Sequence, residues 1–502
     1  WSGGGIHVSE NANPLVEGCI IKENYAESGG GGIDVWRASI KIKDTILENN
    51  SAKYTGALQI GTDDTLDFRP IIDIENVEVI NHRDSTIEQM AAFNACSLTV
   101  KNLSFSNIRT EWSLGSFYNS YVNIENLSLK DIRDNGHSLL FIGSKGTVSG
   151  LTIERDTSRW AIAKIEQGSK IDFNNLKMSN CTTTDHAGLF ISSNPTASIV
   201  NIDTLDINNC NWESHSIRVN KSIFTLSNGN ISSIVSEDGN AGIDASESSS
   251  VEISNTTINS SSSGGHAMNF NGVKKVSITN SLFNGNHSQS SGGVIFAREI
   301  DSLLIENSSF VADTSGGEGG AIQLSDKNQF VRILKSTFSN NSASGAGAIN
   351  SWNTDSLFID NSTFDGNESM AGGGGAVSIN SDTDISTYFE INNSDFIDNK
   401  AGVLGGALWI GNSEGYIQNV GIFNNESVDN FGGGIYISEN VELTMNAVTI
   451  SGNSSPEPAG EGIAIDGGNI IIKNAAGTTI ETIAVGSGNV TFSTNTVTIN
   501  PT

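Results

Sequence analysis

One phrase recurs through the C-terminal half of the chain and constrains its fold more than any other feature. Gly-Gly-Ala-Ile (Gly319 to Ile322), Gly-Ala-Ile (Gly347 to Ile349), Gly-Gly-Ala-Val (Gly374 to Val377) and Gly-Gly-Ala-Leu (Gly405 to Leu408) come about 27 residues apart. Each is followed by an aromatic or aliphatic residue with Asn three places on: Phe338/Asn341, Phe364/Asn367, Phe396/Asn399 and Ile422/Asn425. Self-similarity at this period marks a stack of small units, each leaning only on its neighbours.

Within one unit, Ala-Ile-Gln-Leu from Ala321, a polar turn (Ser325 to Gln329) and Phe-Val-Arg-Ile-Leu from Phe330 read as two short strands with period-2 alternation. The turns are too short for a crossover helix, and no amphipathic helical pattern occurs. Stacked coils of short strands, each pairing with the same strand of the next coil, satisfy both observations. The chain is therefore predicted to be all-β, a parallel β-helix (solenoid) of about 18 coils. The first strands read Ile6-His7-Val8, Ile33-Asp34-Val35, Leu58-Gln59-Ile60, Leu140-Phe141-Ile142, Leu189-Phe190-Ile191, Ile217-Arg218-Val219 and Met268-Asn269-Phe270, then the Gly-Ala phrases, Gly433-Gly434-Ile435 and Gly462-Ile463. Residues 1–468 form this solenoid, and 469–502, with shorter Thr/Val strands, a narrower terminal region or the start of a following module. Because Trp1 to Val8 already reads as a repeat, the chain is expected to be cut from something longer.

The Gly pair suits a sharp turn where backbones approach closely. The recurring Asn suits a turn whose amide bonds the same residue one coil away. Ile322, Leu324, Ile349, Val377 and Leu408 are expected to be buried in one aliphatic ladder.

Charge narrows the function. The chain carries 27 Lys and Arg against 56 Asp and Glu, a formal net charge of -29. That excludes nucleic acid as a partner and argues against anionic membranes. No stretch of 18 apolar residues exists, so no membrane insertion is expected.

The Gly-Gly-Ala-(Ile/Leu/Val) and Phe-x-x-Asn phrases resemble the repeats of chlamydial polymorphic outer-membrane proteins. They are clear over residues 1–53 and 292–462 and eroded between 54 and 265. The resemblance implies a right-handed β-helix, secretion, display at a cell surface and adhesion. It supplies no catalytic residues, and the family's translocator barrel is absent from this sequence.

Since right-handed β-helices also host pectate-lyase-like enzymes, the outward residue of each first strand deserves inspection. The column reads His7, Asp34, Gln59, then Phe141, Lys164, Phe190, Arg218, Asp244, Asn269, Phe296, Gln323, Asn350, Ser378, Trp409 and Tyr436, with some coils after Gln59 unaligned. It holds no carboxylate pair in adjacent coils. Lys164, Phe190, Arg218 and Asp244 form a candidate ligand-binding cluster for an acidic sugar by charge and stacking. Trp409 and Tyr436 form a second candidate, a sugar platform or protein contact. His137, His186, His215 and His266 fall at the turn entering the first strand, without metal-ligand spacing.

No cofactor is expected. Calcium is an option only at two acid-rich turns, Thr62-Asp63-Asp64 with Asp67 and Asp382-Thr383-Asp384, neither with the spacing of a calcium loop. Asn-x-Ser/Thr sequons at Asn307, Asn361, Asn367 and Asn425 arise from the repeat itself. Cys181 and Cys210 align one coil apart and are expected to form a disulfide, whereas Cys19 and Cys96 stay reduced.

The sequence thus predicts a non-enzymatic extracellular surface protein, an adhesin or a stalk segment of a larger fibre. Its partners would be other fibre segments or subunits, or host and cell-surface glycans or proteins. A polysaccharide-binding or polysaccharide-degrading β-helix and a phage-type tailspike are the alternatives.

Overall fold

In a computed structural model the chain is all-β. The structure describes residues 3–62, 68–84, 86–237, 239–382, 384–456, 460–473, 478–492 and 498–499. The chain is a parallel β-solenoid of about 18 turns, divided into two compact units, Trp1–Asp238 and Gly239–Thr502.

In the second unit one coil runs through a first strand Ile322–Ser325, a second Asn328–Leu334, a third Thr337–Ser339 and a two-residue fourth Ser342–Ala343. Each pairs in parallel with its counterpart one coil on. In the first unit the second and third strands fuse into bent ribbons such as Ser97–Thr110 and Tyr121–Asp134. The bends fall where Asn102, Asn107, Asn126 and Asp131 adopt positive φ of 56–59°, a conformation short Asx side chains tolerate.

The glycine pair is explained by backbone proximity. Gly319 has φ +66°, and a Cβ on it would lie 2.1 Å from the Ile322 carbonyl oxygen. On Gly320 it would lie 2.2 Å from the carbonyl oxygen of Gly347, one coil away. The turn thus folds back over the first strand, and side chains are excluded there.

Inside, identical side chains stack. Ile322, Ile349, Val377, Leu408 and Ile435 are in-register partners and fully buried. Leu324 is buried too, but it belongs to the next column, with Ser351, Ile379 and Ile410. The expected single ladder is two, because successive inward residues of a strand are two positions apart. Phe283, Phe310, Phe338, Phe364 and Phe396 stack at centroid distances of 4.7–4.8 Å.

Beside the phenylalanines runs a buried amide ladder. Asn341, Asn367, Asn399 and Asn425 each donate Nδ2–H to the Oδ1 of the next coil's Asn at 2.9 Å, ending on Asn453. Each Nδ2 also reaches a backbone carbonyl, as Asn367 does to Phe338 at 3.0 Å. Glu481 closes the series by accepting from the Asn453 amide at 3.0 Å. The burial of these asparagine amides is tolerated because each has partners. Asn367 and Asn425 are fully buried members of this ladder, so folded protein cannot present those two sequons to a glycosyltransferase. A second ladder links Ser281, Ser308, Ser336, Ser362 and Ser394, each Oγ accepting the backbone N–H of the coil before at 3.1–3.2 Å.

The strands Ile463–Lys473 and Ile483–Phe492 continue the parallel pairing, with the coil shortened to 20 residues between Asn469 and Asn489.

Candidate functional site

The outer face of the first strand is covered more than its alternation suggests, because the glycine turn lies across it. His7 and Asp34 join through Nδ1 and Oδ2 at 2.7 Å. Burial pushes the Asp34 carboxyl up, opposed by the histidine. Across the unaligned coils the register runs Gln59, Ala92, Ser116, Leu140, Lys164. Leu140 therefore holds the place assigned to Phe141. Phe141 is inward and buried, stacked on Phe117 at 4.7 Å. Without glycine punctuation there, three adjacent apolar residues allowed a one-residue slip.

Three members of the first candidate cluster do come together. Lys164, Phe190 and Arg218 occupy consecutive strands in register. Lys164 Nζ lies 5.9 Å and Arg218 Cζ 5.8 Å from the Phe190 ring centroid. The ring is covered further by His186, at 4.6 Å, which stacks on Trp160 at 6.4 Å. Desolvation, then the charges of Arg218 and Lys164, push the His186 pKa down. Lys164 also pairs with Glu166 at 3.0 Å. His186 is thus the lid on Phe190, a role the turn assignment did not foresee, and Trp160 is the cluster's most open ring at 47% exposure. Asp244 belongs to the second unit, where its Oδ1 accepts from Asn240 at 3.0 Å and Asn269 at 2.7 Å.

Trp409 and Tyr436 are in-register neighbours, both half-buried. The Trp409 ring lies against the Gly373 turn, where an added Cβ would be 3.0 Å from it. The Tyr436 hydroxyl donates to Asp466 at 3.4 Å. Of the acid-rich turns, Asp63, Asp64, Asp67 and Thr383 lie outside the described residues. Asp382 accepts from the Asn353 amide at 2.7 Å.

One pair of acids, bridged by serine hydroxyls, is internal. Ser138 Oγ lies 2.6 Å from Oδ2 of both Asp134 and Asp156, and Ser158 Oγ bridges the same two carboxyls at 2.9 and 3.1 Å. Burial raises both acids, Asp156 to about 7 and Asp134 well above its ordinary value, the neighbouring Asp156 adding to the latter. Removal from water favours the neutral form of both acids, and both side chains are buried.

Cys181 and Cys210 are unbridged, as are Cys19 and Cys96. The Cys181 backbone N–H lies 3.3 Å from Cys210 Sγ, so each sulfur occupies the place of a ladder amide. The hydrogen bond with Cys210 and burial push the Cys181 thiol up. Parallel side chains on stacked strands do not supply the twist a disulfide needs.

One site lies outside the inspected column, on the outer face of the second strands. Phe330, Phe358, Tyr388 and Tyr416 zigzag over four consecutive coils, with centroids 5.0, 5.9 and 6.2 Å apart and planes tilted 46–60°. Phe330 is 41% and Tyr416 40% exposed. Beside them a cleft of about 380 Å³ is lined by Arg332, Phe358, Glu390, Asn392 and Gln418 among others. The rings alternate between two columns (Ser356 pairs Tyr388, Glu390 pairs Tyr416), so a search down any single column misses them. The legible signal was an aromatic at an outward position of four successive second strands.

Known proteins bear on the fold alone. The family model for a right handed beta helix region matches residues 215–387, which together with the parallel coils makes the fold a right-handed β-helix. No curated protein matches the chain. Among solved structures, a mutant of the PL6 family alginate lyase AlyGC gives a TM-score of 0.26 at 10% identity, covering 98% of each chain. The unmutated AlyGC gives 0.24 at 10% identity over 99% of this chain and 98% of that one. Likenesses that weak carry no argument about activity.

Proposed function

We propose that this chain is a non-enzymatic, extracellular β-helical segment, adhesive in function and part of a larger surface protein, and that its contact is with a neutral glycan. The observation that carries the reading is the zigzag of Phe330, Phe358, Tyr388 and Tyr416. Aromatic faces pack against the C–H face of a pyranose, and one ring per coil offers one such contact every strand spacing, about 4.8 Å. Asn392, Gln418 and Glu390 in the adjoining cleft suit sugar hydroxyls, amides giving and accepting, the carboxylate accepting. Glu390 and Glu414 beside the rings disfavour an acidic sugar at this place.

The regular internal ladders support the mechanical part of the reading, since each coil is tied to the next by backbone and side-chain hydrogen bonds. A glycan array probed with the intact chain, alongside an eliminase and hydrolase assay on the same glycans, tests it. Binding of a neutral glycan without cleavage is expected. Cleavage of any bound polymer, or an array with no neutral ligand, contradicts it.

A further inference from the structure

The first unit carries an arginine groove with a different chemistry. Arg109 and Arg133 are in-register partners on adjacent strands. The Arg109 backbone N–H donates to the His82 carbonyl at 2.7 Å, which sets Arg83 one coil before Arg109. Three arginines therefore stack in successive coils, all exposed. With Arg155 they line one groove of about 510 Å³, gathering four of the ten arginines of a chain whose net charge is -29.

Like charges in register oppose folding, and this molecule stacks them elsewhere as pairs, Lys145/Lys170 and Glu414/Glu442. Its cations commonly meet a carboxylate one coil away, as in Lys43–Glu17, Lys130–Glu154, Arg159–Asp185, Lys275–Glu252, Lys335–Glu306 and Lys400–Glu426. Arg83, Arg109 and Arg133 have no ion pair among the described residues; Arg83 Nε donates to the Asn107 amide oxygen at 3.2 Å. The groove's one acid, Asp131, is taken by Arg155 through two bonds of 2.7 and 3.0 Å. That hydrogen bonding holds the Asp131 carboxyl below its ordinary value, so it remains a carboxylate already spent on Arg155.

We propose that this groove binds a linear anionic polysaccharide, its carboxylate or sulfate groups engaging the guanidinium forks of Arg83, Arg109 and Arg133. A guanidinium presents paired N–H donors that match either oxyanion. Forks on successive coils are about 4.8 Å apart, close to the length of one pyranose, so an acid on each sugar meets an arginine on each coil. The groove offers no aromatic ring on which bases would stack, which sets it apart from a single-stranded nucleic-acid channel. The proposal does not depend on the neutral-glycan reading of the second unit.

The test is binding of the intact chain to immobilised heparin and, separately, polygalacturonate at low ionic strength. The comparison is between wild type, Arg109→Gln/Arg133→Gln and a control of equal charge, Lys275→Gln/Arg298→Gln. Wild type is expected to bind one or both polymers, the two arms showing whether sulfate or carboxylate is preferred. The Arg109/Arg133 pair should bind roughly tenfold or more weakly, and the control like wild type. Melting should be unchanged or higher in the Arg109/Arg133 variant, because a like-charge contact is removed. Three results overturn the proposal: no binding to either polymer, equal loss in both variants, or equal affinity for single-stranded DNA.

Discussion

At the place where the second unit stacks asparagine, the first holds a mixture. After the third strand, the second unit carries Asn286, Asp313, Asn341, Asn367, Asn399, Asn425 and Asn453 in succession. The corresponding inward residues of the first unit begin as an amide pair, Asn24 and Asn50, and continue as His82, Ile108, Ile132, Asp156, Cys181 and Cys210. Both series are buried from Asn50 onward. An amide ladder must be continuous, since each member both gives and accepts. Apolar residues or thiols fill the same space only where neighbours make no such demand. Charge divides likewise, with 19 of the 27 Lys and Arg in residues 1–238. Regularity in one unit and cationic variety in the other suggest that structural repetition and surface specialisation have been separated along the chain.

The largest expected effect comes from placing a charge in the regular unit. Ile349→Asp buries a carboxylate between Ile322 and Val377 and should cost about 3–5 kcal/mol, read as a fall in the denaturation midpoint. A midpoint equal to wild type would sink the register assigned here. Next is Asn367→Ile, which inserts the residue the first unit uses at Ile108 and Ile132. It leaves the Asn341 amide, the Asn399 oxygen and the Phe338 carbonyl short of a partner, and should cost roughly 2–4 kcal/mol. A loss within experimental error would break the contrast between the units.

Asp313 sharpens the comparison, being the one carboxyl inside the asparagine run. Its Oδ1 accepts from the backbone and amide of Asn286 at 2.9 Å, whereas Oδ2 is buried with no partner among the described residues. A neighbouring Asn places a donor there, facing acceptors. The protonated acid supplies that donor and the carboxylate does not. Burial raises this carboxyl to about 7, partly offset by the Asn286 hydrogen bonds. With the folded pKa above the unfolded one, its stability contribution is complete below pH 4 or so and is lost as pH rises through about 7. Asp313→Asn should therefore match wild type near pH 4 and exceed it at pH 8 by about 1–2 kcal/mol. A pH-independent difference would contradict the protonated ladder.

The smallest expectation is a null effect: reductant leaves the melting temperature unchanged, and alkylation of unfolded, unreduced protein labels four cysteines. Two labelled cysteines would show a Cys181–Cys210 bridge.

The second unit was legible because its constraints repeat. Gly319 and Gly320 mark a turn no other residue fits, and Phe338 with Asn341 marks two buried columns at once. Lys164, Phe190 and Arg218 were placed together from strand spacing alone. The eroded stretch was harder, since one position is served there by His82, Ile132, Asp156 and Cys181, residues with no common chemistry to align. Phe141 was displaced by one residue because no glycine pair marks its turn and Leu139, Leu140 and Phe141 are all apolar. The arginine groove did leave a trace: Asn81-His-Arg83, Asn107-Ile-Arg109 and Asp131-Ile-Arg133 each place Arg two residues after a left-handed corner. Reading only the first-strand column hid both that and the aromatic zigzag.

The most direct test of the functional account is calorimetric titration of the best neutral glycan from the array into wild type and into Tyr388→Ala/Tyr416→Ala. The account predicts affinity weakened by roughly tenfold or more, two stacking contacts being removed, with the melting temperature of the two proteins alike. Equal affinity with both tyrosines gone would contradict it.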